Sequence, residues 1–267
     1  MMRTFKRTCW ALGALVVAAA CCAAIALAGC GGAPAADAPE AYVSPYDWTK
    51  LERTDDRLVY QDGEKRSQLG VDVSSHQGAI DWQAVAADGV DFAFVRAGNR
   101  GYTEGGLFVD ERFAENVDGA SAAGLDVGVY FFSQAITAEE AREEADLVLK
   151  ALAGRFVALP VVFDHEPVPD AAGRANNLSR DTLTACALAF CERLEAAGYD
   201  TMIYGNKGDM ARYNREALGT RPVWFAEYDA QKPSAQFDFA IWQYTNAGTI
   251  SGIPTPVDLN LLLPEVE

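Results

Sequence analysis

The chain has 267 residues, a length that one α/β barrel commonly fills, and half of them are apolar, with 23 glycines in no short repeat. This excludes a disordered or fibrous protein and leaves a globular one with a sizeable core. A formal net charge of -16 repels phosphate backbones and anionic lipid, which excludes nucleic-acid binding and adsorption to membranes by charge.

In chain order, the first segment reads as an address. Arg3, Lys6 and Arg7 make a basic head, and no charged residue interrupts the Ala/Leu/Val-rich run from Ala11 to Ala28. The run closes on Leu27-Ala28-Gly29-Cys30, which resembles the lipobox of bacterial lipoproteins. The resemblance implies that residues 1–29 are a cleaved signal peptide and that the Cys30 thiol carries a lipid. An uncleaved signal anchor is the alternative, because the run is nearly long enough to span a bilayer. Small residues before Cys30 fit cleavage better, and both readings place the folded part outside the cytoplasm, attached to the bacterial cell membrane. Residues 30–45 read as the lipidated cysteine and a flexible tether, since Gly31 to Glu40 is Gly, Ala, Pro and acid with nothing to pack.

Residues 46–68 form an aromatic-containing lead-in, where Leu58-Val59-Tyr60 and Lys65-Ser67 flank the hairpin signal Asp62-Gly63. From residue 69 to the end, short apolar runs alternate with helix-period segments, as in a mostly parallel sheet with crossover helices. The expected strands are Leu69–Val73, Phe92–Arg96, Asp126–Phe132, Ala158–Asp164, Thr201–Tyr204, Pro222–Glu227, Ala240–Tyr244 and Val257–Asn260. The expected helices are Trp82–Asp88, Val109–Ala123, Ala138–Ala153, Arg180–Ala197 and Lys207–Tyr213, three of them followed by a glycine that suits a left-handed terminus. The last three strands are joined without helical period, and no Gly-rich phosphate turn follows the first. An irregular TIM-like (β/α)5(β)3 barrel, a single domain, fits better than an open doubly wound sheet. Cys186 and Cys191, five apart in a helical pattern, are expected as buried apolar residues, neither a disulfide nor metal ligands.

Parallel barrels present their reactive groups at the carboxyl ends of strands. Those ends carry Asp72, Arg96, Ser133, Asp164 with Glu166, Tyr204, Glu227 and Asp258. Asp164-His165-Glu166 closes the apolar run Leu159–Phe163, and in extended chain residues two apart point the same way. Two carboxyls sharing one mouth disfavour each other's ionisation, so one stays protonated near neutral pH while the other is charged. Glycoside cleavage needs that division: a proton donor for the leaving oxygen and a negative group for the oxocarbenium-like centre. Asp-x-Glu by itself is a weak pattern that also occurs in surface loops.

The wider pattern is specific. Gly70-Val71-Asp72-Val73-Ser74-Ser75-His76-Gln77-Gly78 with Ile80-Asp81-Trp82, Phe94-Val95-Arg96-Ala97-Gly98, Gly128-Val129-Tyr130-Phe131-Phe132-Ser133, Tyr204-Gly205-Asn206, Trp224-Phe225-Ala226-Glu227-Tyr228, Ile241-Trp242-Gln243-Tyr244 and Val257-Asp258-Leu259-Asn260 resemble glycoside hydrolase family 25, the Chalaropsis-type lysozymes. The resemblance runs in the family's order from about Leu69 to Leu263. It implies a muramidase that hydrolyses the β-1,4 bond between N-acetylmuramic acid and N-acetylglucosamine of peptidoglycan glycan strands. No cofactor is expected, and a monomer is expected because a tethered barrel needs no partner. Carried over by position, Glu166 matches the general acid, Asp164 the partner carboxylate, and Asp72 and Asp258 two further acids of the cleft. Asp164 would act as a nucleophile or, as favoured here, orient the substrate's own acetamido group, because two carboxyls on so short a stretch cannot easily flank a sugar from opposite faces.

Other residues have plainer readings beside the functional one. Tyr130, Tyr204, Trp224, Tyr228 and Trp242 are either core filler or platforms for sugar faces, and both the platforms and Arg96 are expected to bind substrate. Arg96 also serves to neutralise the acids. Trp82 is expected to pack. His76 and His165 lack a recognised metal-ligand spacing, so hydrogen bonding is the expected role and no metal is implied. A peptidoglycan-binding lipoprotein without activity and a metal-dependent hydrolase of peptide or acetyl groups are the rival readings. All four acids are present, which favours the enzyme.

Overall fold

The computed structural model describes residues 42–54 and 57–266. The basic head, the apolar run, Cys30 and the tether up to residue 41 lie outside the described residues. No helix among the described residues is long and apolar enough to cross a membrane.

The lead-in forms a small antiparallel sheet in the order β1 (Leu51–Arg53), β2 (Leu58–Asp62), β3 (Lys65–Arg66). The β2–β3 turn uses Gly63 at φ 61°, the left-handed conformation that the Asp-Gly pair predicts. Its aromatic residues face the rest of the fold. Trp48 meets Tyr46, Tyr60, Phe239 and Trp242 at ring-centroid distances of 5.5 to 6.3 Å, so the lead-in buries its apolar side on the barrel.

The barrel strands are β4 (Gln68–Val73), β5 (Phe92–Arg100), β7 (Asp126–Phe132), β8 (Val161–Asp164), β9 (Thr201–Gly205), β10 (Val223–Ala226), β11 (Ile241–Gly248) and β12 (Val257–Leu262), with a short β6 (Leu107–Val109) added to β5. Pairing of β4 with both β5 and β12 closes the ring. Neighbours from β4 round to β11 run parallel, whereas β12 is antiparallel to both of its partners. Helices α1 (Trp82–Ala87), α2 (Phe113–Ala122), α3 (Ala138–Leu152), α4 (Arg180–Glu195) and α5 (Lys207–Ala211) occupy the first five crossovers, and none lies among the last three strands. The architecture is the expected (β/α)5(β)3 barrel.

Two cores follow from the period-two alternation of the strands. Outward side chains such as Val71, Val95, Val129, Phe163, Ile203 and Phe225 pack under the helices, and inward ones such as Phe92, Phe94, Val162, Met202, Trp224 and Ile241 fill the barrel. Glycines make room for the large inward rings: a Cβ at Gly70 would run into the Phe92 ring and one at Gly128 into that of Phe94. Cys186 and Cys191 are free and lie on the buried side of α4, and Trp82 is buried against α2 at Gly119, as expected.

The segment Val109–Ala123 departs from its expected helix. Its first residue, Val109, pairs with β5 as the last of β6, and α2 begins only at Phe113, because Asp110 is held by Arg96 and by the Ser75 N–H and cannot enter a helical turn. Strand β8 is also shorter than expected at its start, and β5 and β11 are longer.

Candidate active site

The inward, carboxyl-terminal ends of the strands surround a cleft of about 230 Å³, and Asp72, Asp164, Glu166 and Asp258 all line it. Asp164 is the last residue of β8, between Phe132 of β7 and Tyr204 of β9 in register. Glu166 lies two residues further on and lines the same cleft, so the spacing does place both carboxyls on one side. The backbone here is pinned by the end of β7: the Ser133 N–H donates to Asp164 O at 2.7 Å, and Gln134 Nε2 to Glu166 O at 2.9 Å.

The two carboxyls differ in surroundings. Burial pushes Glu166 up to about 7, helped by the negative charges of Asp209 and Asp258. Asp164 is also held well above the usual carboxylate range, by burial and then by Glu166 and Asp72. Its Oδ1 is buried and receives no donor from the protein, an unsatisfied acceptor on a residue that lines the cleft. Asp258 is raised to about 6 by burial.

Asp72 sits at the centre of a directed network. Tyr204 and Tyr228 both donate their hydroxyls to Gln243 Oε1, at 2.7 and 2.9 Å. With that oxygen occupied, Gln243 Nε2 turns to Asp72 Oδ2 at 2.9 Å, and Asn260 Nδ2 reaches the same oxygen at 2.8 Å. Asn260 Oδ1 in turn accepts from Trp224 Nε1 at 2.8 Å. Burial and Asp258 raise Asp72, while the two amide donors oppose them by favouring its ionised form.

The predicted sugar-binding residues separate into three groups. Tyr130, Tyr204 and Tyr228 line the cleft, and Tyr228 is the most open of them at 39% exposure. Trp224 also lines it, but as a floor only 1% exposed, stacked on Phe94 with centroids 4.6 Å apart. Trp242 is corrected outright: it is fully buried on the outer face of β11, where its Nε1 donates to Glu227 O and its ring meets Trp48 and Tyr244. The alternation that turns Gln243 into the cleft turns its neighbour away.

Arg96 lines the cleft, yet its guanidinium is bound sideways by Asp110 at 2.8 Å and by Ser75. Glu227 is turned out of the cleft to Lys207 and Ser234. His76 is exposed in the turn after β4, while His165 is fully buried behind the acids. Burial lowers His165 to about 4, which keeps it neutral between the two carboxyls.

Sequence reasoning missed Gln243, Asn260 and Asp209. The first two lay inside quoted motifs and are uncharged, so a search for acids passed over them. Asp209 is buried near Glu166 at the start of α5, where the Asn206…Asp209 capping box was the available signal.

The sequence matches the family described as Glycosyl hydrolases family 25 over residues 71–253. The chain belongs to this family. Asp258, on the last strand, lies just beyond the matched stretch. The chain is 27% identical over 191 residues to an autolytic lysozyme of Clostridium acetobutylicum, covering 72% of this chain and 54% of that protein. It is 30% identical over 202 residues to lysozyme M1 of Streptomyces globisporus, covering 72% and 66%. The chain thus spans roughly half to two thirds of the length of these curated relatives. A solved family 25 glycosyl hydrolase from Bacillus anthracis superposes with a TM-score of 0.62 at 27% identity, covering 76% of this chain and 92% of that one.

Proposed function

We propose that this family 25 protein is a peptidoglycan muramidase cutting between N-acetylmuramic acid and N-acetylglucosamine. The observation that carries the reading is the pairing of Glu166, kept protonated to about 7, with Asp164, whose buried Oδ1 lacks a donor, in one cleft. Lysozyme relatives over most of this chain support it. Glu166 donates its proton to the glycosidic oxygen as the C1–O bond breaks. Asp164 accepts the acetamido N–H of the same sugar, and the acetamido oxygen closes on C1. Water then opens this ring as Glu166, now a carboxylate, takes its proton, so the anomeric configuration is retained. Asp72 and Asp258 add negative charge for the oxocarbenium-like centre, and Tyr228 offers a ring face to a sugar.

The membrane and the cell wall enter the same proposal. Cys30 carries a lipid on the outer side of the membrane, the following residues tether the domain, and the enzyme works as a monomer on extracytoplasmic glycan.

The test is digestion of purified cell wall by the full-length protein with mass analysis of the fragments. Muramic acid is expected at each new reducing end, and N-acetylglucosamine there would overturn the bond assignment. Glu166→Gln is expected to lose at least a hundredfold in turnover, the usual scale of general acid catalysis, while still sedimenting with the wall. A trapped covalent sugar on Asp164 would refute the acetamido route.

A further inference from the structure

Strand β5 outruns its neighbour β4, whose last residue, Val73, pairs with Val95. Beyond that point β6 takes over as partner, with Gly98, Asn99 and Arg100 opposite Val109, Phe108 and Leu107. An irregularity between Arg96 and Gly98 resets the alternation, so that Asn99 stands opposite Phe132 of β7 on one side and Phe108 of β6 on the other. Directly opposed residues project from the same face of a sheet. Phe132 lines the cleft. The row Phe132, Asn99, Phe108 therefore carries the cleft wall sideways over two strand spacings, about 10 Å. Arg100, the next residue in alternation, confirms the direction by pointing the other way, to Glu144 of α3 at 2.8 Å.

Phe108 is 57% exposed, although its ring touches the hairpin backbone: a Cβ at Gly101 or Gly106 would lie 3.4 Å from it. A single exposed phenylalanine needs no explanation. Here, however, seven large apolar side chains are exposed among the described residues, and Tyr102, Phe108 and Val109 share this one hairpin while Tyr228 stands in the cleft. The hairpin is also held in place, by Arg100 donating to Gly105 O at 2.8 Å and by the Arg174 N–H donating to Tyr102 O at 2.9 Å. A ring fixed in advance loses little freedom when a ligand meets it.

We propose that Phe108 is an outlying sugar platform, a subsite for a pyranose of the same glycan strand beyond the residues around the scissile bond. It rests on the muramidase reading of the cleft. An exposed ring receives the apolar face of a sugar, and continuity with the cleft wall commits the site to polymeric glycan. The subsite makes long strands better substrates than fragments that end inside the cleft.

The test compares full-length wild type, Phe108→Ala and Phe108→Tyr on two substrates: long glycan strands stripped of stem peptides, and a tetrasaccharide of the same two sugars. Phe108→Ala is expected to raise KM about three- to tenfold on the strands, the scale of one ring contact, with kcat and the pH profile unchanged and the tetrasaccharide unaffected. Phe108→Tyr is expected to restore the wild-type KM. An unchanged KM on strands, or an equal loss on both substrates, overturns the platform while wild-type activity upholds the muramidase reading. Wild type inactive on both substrates removes both proposals together.

Discussion

The proton-donor role proposed for Glu166 lasts only while it holds its proton, and its value of about 7 means that the donor form is lost as pH rises through neutrality. Part of that elevation comes from Asp209, a buried carboxylate at the start of α5 that touches the chemistry only through its field. Asp209→Asn keeps an oxygen to accept the Asn206 N–H and removes the charge. The alkaline limb of kcat/KM against pH is therefore expected to move to lower pH, and activity above pH 7 to fall, with the thermal melting point little changed. An unmoved limb would show that burial alone sets the proton affinity. Asp164 and Glu166 were legible as a pair because their spacing carries the geometry of extended chain. Asp209 was not, because the field of a carboxylate acts through space and leaves no mark on local sequence pattern.

At the scale of elements, the strand end that carries Asp164 is steadied from behind by a buried ionic network. Arg100 of β5 donates to Glu144 of α3 at 2.8 Å, and Glu144 accepts the Ser133 hydroxyl at 2.6 Å. Ser133 in turn supplies the backbone N–H that holds Asp164 O. Both charged partners are shut off from water, Glu144 completely and Arg100 at 4% exposure. Removing one of them leaves the other uncompensated, so Arg100→Met is expected to cost about 3–5 kcal/mol of stability. Urea denaturation checks this, and the addition of Glu144→Gln is expected to recover part of the loss. A loss below about 1 kcal/mol would mean that the pair behaves like an exposed one. The helical periods placed α3 and α4 correctly. They misjudged residues 109–112, where the pairing of Val109 with β5 and the hold on Asp110 outweigh local preference.

At the scale of the whole molecule, the lead-in is tied to the barrel by long-range hydrogen bonds. The Tyr42 hydroxyl donates to Asp238, just before β11, and the Tyr46 hydroxyl to Pro264 O, just after the antiparallel β12. Both contacts lie at the end of the barrel opposite the cleft. Cys30→Ala is expected to move the protein from the membrane fraction to the aqueous one without changing its rate on soluble glycan. Unaltered membrane retention of that variant would remove lipidation as the anchor.

The sequence by itself determined the class of the fold and the order of its strands and helices, because periodicity and short spacings are local properties that survive without coordinates, and its resemblance to the family pointed to four acids that the structure gathers in one cleft. The tertiary structure decided which side of each strand faces the cleft. A barrel wrapped in helices buries both faces of its strands, so apolar character does not reveal the inward one. For that reason Gln243 and not Trp242 lines the cleft, and only the register of β5, β6 and β7 sets Phe108 in one row with Phe132 of the cleft wall.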